Sequence, residues 1–235
     1  MDTNNTTQDL KNQLLGIDFY QRFPMMIPFI GDYYISDNHK KMLLVGESFY
    51  FPKNSKIHLD AGKWYQASEK DLCVVEGENG EKEDEKEWIN CKNLLENKKW
   101  NKGHSMYINL NNSIKTTNLD FKARPIDEVA FTNFFVRPAK KGKSIKEYEA
   151  TSDIEIDKQK ANKVLESVLQ ILKPDVLIFV SKYAFECVDK NIWGNFENMK
   201  VDFFSHPCST CWNCYNSPRG KINFQVFLEK YFVQT

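Results

Sequence analysis

The chain has 235 residues, of which 41% are hydrophobic and 14% aromatic, and its formal net charge is zero. These values indicate a globular protein with a substantial core and exclude a disordered chain. Zero net charge also excludes a global attraction to nucleic acid or to an anionic membrane, although a local group of lysines could still bind phosphates.

The N-terminal sequence MDTNNTTQDLKNQ is polar and lacks the basic and apolar regions of a signal peptide. No apolar run is long enough to cross a bilayer, so we expect no membrane partner. The six cysteines, without a secretion signal, predict reduced thiols in a cytoplasmic protein. Because no repeat or long linker interrupts the chain, residues 1–235 are predicted to form one domain, with about the first 15 residues flexible or in a peripheral helix.

The first half of the chain predicts short helices and one buried strand. The run QLLGIDFYQRFPMMIPFIGD predicts a short helix followed by a loop, since it contains two prolines. Residues Met42–Val45 predict a buried parallel strand that ends at Gly46. We expect a partly helical segment around Lys63–Leu72, followed by a solvated turn in GENGEKEDEKE. Four apolar residues roughly share one face of a further predicted helix: Trp88, Ile89, Leu94 and Leu95.

The second half alternates strands with helices. Residues Val129–Val136 predict a strand bounded by Pro138, and DKQKANKVLESVLQILKPD predicts a long helix that ends at Lys173-Pro174. Val176–Val180 predicts another buried strand. MKVDFFSHPCST predicts a short last strand, and KINFQVFLEKYF predicts a closing helix. This alternation predicts a parallel sheet covered by helices on both faces.

Polar motifs accompany three of the predicted strands. These motifs are Gly46-Glu47-Ser48, Thr132-Asn133 and Ser205-His206-Pro207. Thr132-Asn133 lies inside its apolar run, so that strand is expected to end before its apolar pattern does. Because ligands of open parallel sheets bind beyond the carboxyl ends of the strands, we expect the three motifs to lie close together.

Four segments resemble motifs of the uracil-DNA glycosylase superfamily. They are LLVGESFY, FTNFFVRP, LKPDVLIFVSKYAF and SHPCST, in the family's order, between about Met42 and Thr210. Each motif alone is weak, and their order makes the resemblance more specific. The resemblance implies a three-layer α/β/α sandwich with a short, mostly parallel central sheet. It also implies base excision repair by hydrolysis of the N-glycosidic bond of uracil or a related damaged base in DNA, without a cofactor, a metal or an obligate protein partner.

The resemblance assigns a role to each motif. It implies that Glu47 activates water, that Asn133 recognises the edge of a flipped pyrimidine, and that His206 stabilises the departing base. The residues that would complete the base-binding site are Gly46 and the aromatic residues Phe49, Tyr50 and Phe51. The residues that would contact DNA are Ser48, Pro207, Ser209 and Trp212.

The chain also departs from the family pattern. Phe49 stands where the family has a proline, and Cys208 follows His206-Pro207 where the family has a serine. No cysteine precedes Cys73, so the four-cysteine iron–sulfur site of some branches is not reproduced. Two alternatives therefore stay open. One is a nucleic-acid- or nucleotide-binding protein on the same scaffold with lost or altered chemistry, and the other is an α/β protein for small molecules or nucleotides that shares only the fold.

Other roles are open for several of these residues. Cys208, Cys211 and Cys214 have a spacing that suits a soft metal, but a closed site would need Cys187 or His206 as a fourth ligand. A cysteine nucleophile would need a general base nearby, and ordinary thiols beside a base-binding loop are the favoured interpretation. The segment AKKGKSIK is either an exposed loop or a phosphate-binding loop. Each of the three site residues could also have a purely structural role. Glu47 could lie beside a helix N-cap, Asn133 could be a turn residue at a strand end, and His206 could form a structural hydrogen bond in its loop.

Overall fold

Five strands form one mostly parallel sheet in the computed structural model, which describes residues 6–90, 95, 105–117, 119–151 and 153–233. In chain order these strands are β1 (Phe29–Ile30), β2 (Met42–Phe51), β5 (Ala130–Lys140), β6 (Val176–Phe179) and β7 (Lys200–Phe203). Their order across the sheet is β1-β5-β2-β6-β7, and β1 alone runs antiparallel to its neighbour. A separate antiparallel hairpin joins β3 (Val74–Glu76) to β4 (Lys82–Asp84).

Helices flank this sheet, so the mixed α/β class predicted from the sequence is confirmed. The described helices are α1 (Thr7–Leu14), α2 (Asp18–Arg22), α3 (Ala61–Gln66), α4 (Glu85–Trp88), α5 (Ser105–Ile114), α6 (Asp153–Leu172), α7 (Lys182–Glu186), α8 (Thr210–Asn213) and α9 (Lys221–Tyr231). Short 3₁₀ segments occupy Pro24–Met26, Ile57–Leu59, Glu69–Asp71, Pro125–Glu128, Ile145–Ala150 and Lys190–Asn195. Among these described helices, none combines the length and the apolar character that crossing a membrane requires.

The central strand and the long helix form as the sequence pattern predicts. Leu43, Leu44 and Val45 of β2 are fully buried, because β2 has a parallel neighbour on each side. Helix α6 buries the apolar face that its 3.6-residue periodicity defines. The helix ends at Leu172, and the next residue, Lys173, has a φ of 46° in the left-handed region and precedes a proline.

Strands β2 and β5 are both longer than predicted. The sequence pattern ends β2 at Gly46 and β5 before Pro138, or already near Thr132-Asn133, whereas the two strands continue together to Phe51 and Lys140. The pairing shifts from Ser48–Phe135 to Tyr50–Ala139, so β5 contributes extra residues in an irregular stretch. Pro138 lies in this stretch, where no backbone N–H is needed for the ladder. The strand extension therefore tolerates a residue that normally ends a central strand.

Several peripheral elements differ from the prediction. Helix α3 starts and ends earlier than the expected segment Lys63–Leu72, and α5 was not predicted. The charged segment GENGEKEDEKE, predicted as a solvated turn, contains the turn of the β3–β4 hairpin, strand β4 and the start of α4. Helix α4 ends at Trp88, and Leu95 is fully buried, while Leu94 lies outside the described residues.

A buried ion pair fixes the segment that follows β5. Arg137 and Asp157 have no exposed side-chain surface, and the Arg137 Nε donates to Asp157 Oδ1 at 2.8 Å. The Tyr65 hydroxyl donates to the same carboxylate oxygen at 2.7 Å. The Tyr148 ring lies 4.3 Å from the Arg137 guanidinium. These contacts join β5, α3 and α6 to the loop that carries Ser144, and so they position that loop beside β2.

Candidate functional site

The predicted site residues leave the same edge of the sheet. The last row of residues paired across four strands consists of Thr132, Val45, Phe179 and Phe203. Asn133 is one residue beyond this row, Glu47 is two beyond it, and His206 is three beyond it. Although β2 continues to Phe51 beside β5, β6 ends at the row, so Glu47 lies past the end of one of its neighbouring strands. The structure thus brings the three motifs to one edge.

Two serine hydroxyls hold the Glu47 carboxylate. Ser144 donates to Glu47 Oε1 at 2.5 Å, and Ser181 donates to Glu47 Oε2 at 2.9 Å. Ser181 also accepts the backbone N–H of Ala184 at 3.2 Å as the N-cap of α7. Both carboxylate oxygens are therefore oriented, and each keeps lone-pair capacity for one further donor.

The His206 ring is held in one neutral tautomer. Its Nδ1 accepts the backbone N–H of Cys208 at 3.1 Å, so the proton of the neutral ring lies on Nε2. Burial lowers the pKa of His206, and the nearby Glu47 carboxylate offsets part of this effect. His206 therefore presents an uncharged N–H donor at neutral pH.

Helix α5 supports the loop that carries His206. The Asn109 side-chain amide donates to the Pro207 carbonyl at 2.9 Å. The Ser105 hydroxyl and the Cys208 thiol are 3.2 Å apart. Pro207 is buried, so its role here is to fix the loop rather than to present a surface.

The Asn133 side chain lies directly over Gly46 of the neighbouring strand. The two residues are paired, and a Cβ placed on Gly46 would lie 2.2 Å from Asn133 Oδ1. Glycine is therefore required for this close approach of the carboxamide to the β2 backbone. The contact places Asn133 one residue away from Glu47 along β2.

The three consecutive aromatic residues have different environments. Tyr50 is 40% exposed, and burial first, then the Glu47 and Cys208 charges, raise the pKa of its phenol. Phe51 is fully buried, with its ring edge-on to His58 and Trp64, so its prediction as a stacking surface for a base is wrong. Tyr50 is the exposed aromatic beside the site, and Phe49 is buried.

Of three further residues predicted to contact DNA, two are buried and the third caps a helix. Trp212 is 1% exposed and packs against Phe224 at a centroid distance of 5.2 Å, so it is a core residue and not a wedge for DNA. Ser209 accepts the Trp212 backbone N–H as the N-cap of α8. Ser48 is buried, and its hydroxyl has no hydrogen-bond partner among the described residues. The predicted DNA contacts of Trp212 and Ser48 are therefore wrong, and that of Ser209 stays a prediction.

The three cysteines after His206 are exposed free thiols. Within the part of the chain that the structure describes, no three His, Cys, Asp or Glu side chains are grouped to hold a metal ion. In particular, Cys187 and His206 do not join Cys208, Cys211 and Cys214 in such a group.

The sequence interpretation missed both serines that hold Glu47. Ser181 follows a buried strand and begins a helix, which is the same strand-end signal that identified Glu47 and His206. Ser144 gives no comparable signal, because it lies in the lysine-rich loop and meets Glu47 only through the fold.

Comparison with known proteins does not add a family. No protein-family model matches the chain, and no curated protein matches its sequence.

Proposed function

We propose that the protein is a DNA glycosylase that hydrolyses the N-glycosidic bond of uracil or a related damaged base in DNA. The observation that carries this proposal is the pair formed by an oriented carboxylate, Glu47, and a neutral histidine donor, His206, at one sheet edge. The four motifs that resemble the uracil-DNA glycosylase superfamily, with its three-layer α/β/α fold, support the same interpretation.

Glu47 supplies the negative charge that this reaction requires near the sugar. As the glycosidic bond breaks, positive charge develops on the sugar, and a fixed carboxylate stabilises it. The same carboxylate orients the attacking water and accepts its proton. The Ser144 and Ser181 hydroxyls hold Glu47 before the reaction, so no reorganisation is needed during bond cleavage.

His206 supplies the donor for the leaving group. The departing base carries negative charge, and the Nε2–H of a neutral imidazole can donate to an oxygen of that base. A neutral donor suits this role, because a positively charged imidazolium would partly cancel the nearby Glu47 charge that stabilises the sugar. The lowered pKa of His206 keeps the ring neutral at physiological pH.

Asn133 and Tyr50 complete the base site in this proposal. The Asn133 amide offers both a donor and an acceptor, which match one edge of a pyrimidine. The half-exposed Tyr50 ring offers a stacking surface, which contributes about 1–3 kcal/mol for one base. A base within a duplex must be extruded to reach these groups.

The proposal is tested by base release from short DNA oligomers. The panel contains uracil, a guanine–thymine mismatch and hypoxanthine, each single- and double-stranded, and compares the parent with Glu47→Ala and His206→Ala. We expect release by the parent and a fall of about 10²-fold or more in each variant. No release from any substrate by the folded parent would reject the hydrolase.

A DNA-binding protein without turnover is the second candidate. Phe49 in place of the family proline and Cys208 in place of the family serine favour it, because Phe49 lies on β2 two residues after Glu47 and Cys208 lies in the loop that carries His206. Binding of uracil-containing DNA without base release identifies this candidate, whereas preference for free nucleosides over DNA supports a small-molecule function.

A further inference from the structure

An acidic hairpin lies on two lysines near the candidate site. Lys53 Nζ is 2.7 Å from Glu78 Oε1, and Lys141 Nζ is 3.9 Å from Glu78 Oε2. Lys141 Nζ is also 3.7 Å from Glu83 Oε1. Glu78 lies in the turn between β3 and β4, and Glu83 lies on β4. One carboxylate thus bridges two lysines that are distant in sequence.

Lys141 lies next to the far end of β2, beyond Glu47. The Lys141 backbone N–H donates to the Phe51 carbonyl at the end of β2. Phe51 is four residues beyond Glu47, which corresponds to roughly 13 Å along a strand. Ser144, three residues after Lys141, returns to the Glu47 carboxylate. The loop that holds the catalytic carboxylate in the proposed function is therefore the loop that carries Lys141.

We propose that Lys53 and Lys141 form a phosphate-binding strip for the DNA strand that enters the site, and that the acidic hairpin occupies this strip until DNA displaces it. The inference rests on the proposed function in one respect, namely that the substrate is a polynucleotide. The lysine strip, Lys53 and Lys141, would contact backbone phosphates beyond the flipped nucleotide.

The contacts of the hairpin are weak enough for a DNA phosphate to replace the Glu78 carboxylate on the two lysines. Lys53 and Glu78 remain 57% and 43% exposed, and ion pairs between such exposed groups are weak. A DNA phosphate that replaces Glu78 restores the charge pairing of both lysines and releases counterions from the DNA. The Lys141 ammonium also lies 5.1 Å from the Trp88 ring, which keeps this side chain near the strip.

The test compares two glutamates of the same hairpin. Glu78→Gln removes the carboxylate that bridges the two lysines and leaves Lys141 with Glu83 alone. Glu76→Gln makes the same charge change at an exposed side chain that lies across the hairpin from Lys82 and forms no ion pair among the described residues. Binding of a fluorescent single-stranded oligothymidylate with one uracil is measured by anisotropy over a range of salt concentrations. We expect Glu78→Gln to bind about two- to fivefold more tightly at low salt, the scale of an exposed ion pair. Its salt dependence should be steeper by up to about 0.7 per added phosphate contact. Glu76→Gln should bind as the parent does.

A protein that lacks both lysines provides the second control. In a Lys53→Ala/Lys141→Ala protein, Glu78→Gln should give no gain in affinity. The proposed strip is contradicted if the two glutamate variants change the DNA affinity equally, or if Glu78→Gln raises the affinity in the protein without the lysines. Base release by a parent whose affinity does not respond to Glu78→Gln rejects the strip alone. The expected gain without base release supports the strip and rejects the hydrolase, and no DNA binding by any variant rejects both.

Discussion

Gly46→Ala tests whether the Asn133 carboxamide must occupy its observed position. A Cβ on residue 46 would lie 2.2 Å from Asn133 Oδ1, and ordinary van der Waals contact begins at about 3.4 Å, so the amide must move by roughly 1 Å. The displaced atom is the far end of a side chain, and Gly46 does not have a positive φ. We therefore expect little change in the free energy of unfolding. A displacement of about 1 Å at a reacting site can lower the rate by about 10²-fold.

The assay for this prediction is a double-mutant cycle on base release. Gly46→Ala, Asn133→Ala and the double variant are compared with the parent by kcat/KM, and thermal unfolding is measured in parallel. In the Asn133→Ala background the added methyl group meets no amide, and its remaining close contact, with the Phe131 ring at 3.2 Å, needs only a shift of a few tenths of an ångström. Gly46→Ala should therefore cost little further activity there. Full activity of Gly46→Ala, or an equal loss in both backgrounds, would refute the claim that the glycine acts through Asn133.

Other residues give predictions with separate measurements. Ser144→Ala removes one of the two hydrogen bonds to Glu47, a charged acceptor, and should slow base release by about tenfold or more in single-turnover assays. Tyr50→Ala should weaken DNA binding by about 1–3 kcal/mol with little change in stability, whereas Phe51→Ala should lower the free energy of unfolding by about 3–5 kcal/mol; the reverse pattern would contradict the assigned environments. Burial lowers the pKa of His58 to about 4, from 6.5 in the unfolded chain, so its contribution to stability is complete above pH 6.5 and is lost as the pH falls toward 4. Chemical denaturation at pH 7 and 4.5 should show a smaller loss for His58→Leu than for the parent, and an equal loss would contradict this effect.

Glu47 and His206 could be identified from the sequence because each follows a short apolar run that forms a parallel strand, buried in β2 and half-buried in the edge strand β7. The runs are visible in sequence, since both faces of such strands are covered. The same pattern could have identified Ser181. It could not identify Ser144, because no local pattern shows that the loop after β5 folds back onto β2.

The aromatic residues show why the remaining assignments needed the structure. Phe49, Tyr50 and Phe51 are all plausible stacking residues in sequence, and a strand alternates its faces whatever its register. The extension of β2 beside β5 decides which ring is exposed, and Pro138 hides that extension from a sequence pattern. Trp212 lies among polar residues and cysteines in sequence, yet α9 packs against it through Phe224.

The distribution of charge along the sequence indicated Lys141 but not its contact with the acidic hairpin. The segment AKKGKSIK was open to a phosphate-binding role, but its contact with Glu78 joins residues from two distant parts of the chain. The net charge of the chain does not show this contact, because a chain of zero net charge can still have an acidic surface beside a basic one.

The most direct test of the central claim is single-turnover release of free uracil from a DNA oligomer by the parent, Glu47→Gln and Glu229→Gln. Glu229 is an exposed glutamate on the last helix, so its variant makes the same chemical change at a position unrelated to the candidate site. The account predicts free uracil and an abasic strand from the parent and from Glu229→Gln, with a rate lower by about 10²-fold or more for Glu47→Gln. Equal rates for the parent and Glu47→Gln, or no free uracil from the folded parent, would contradict it.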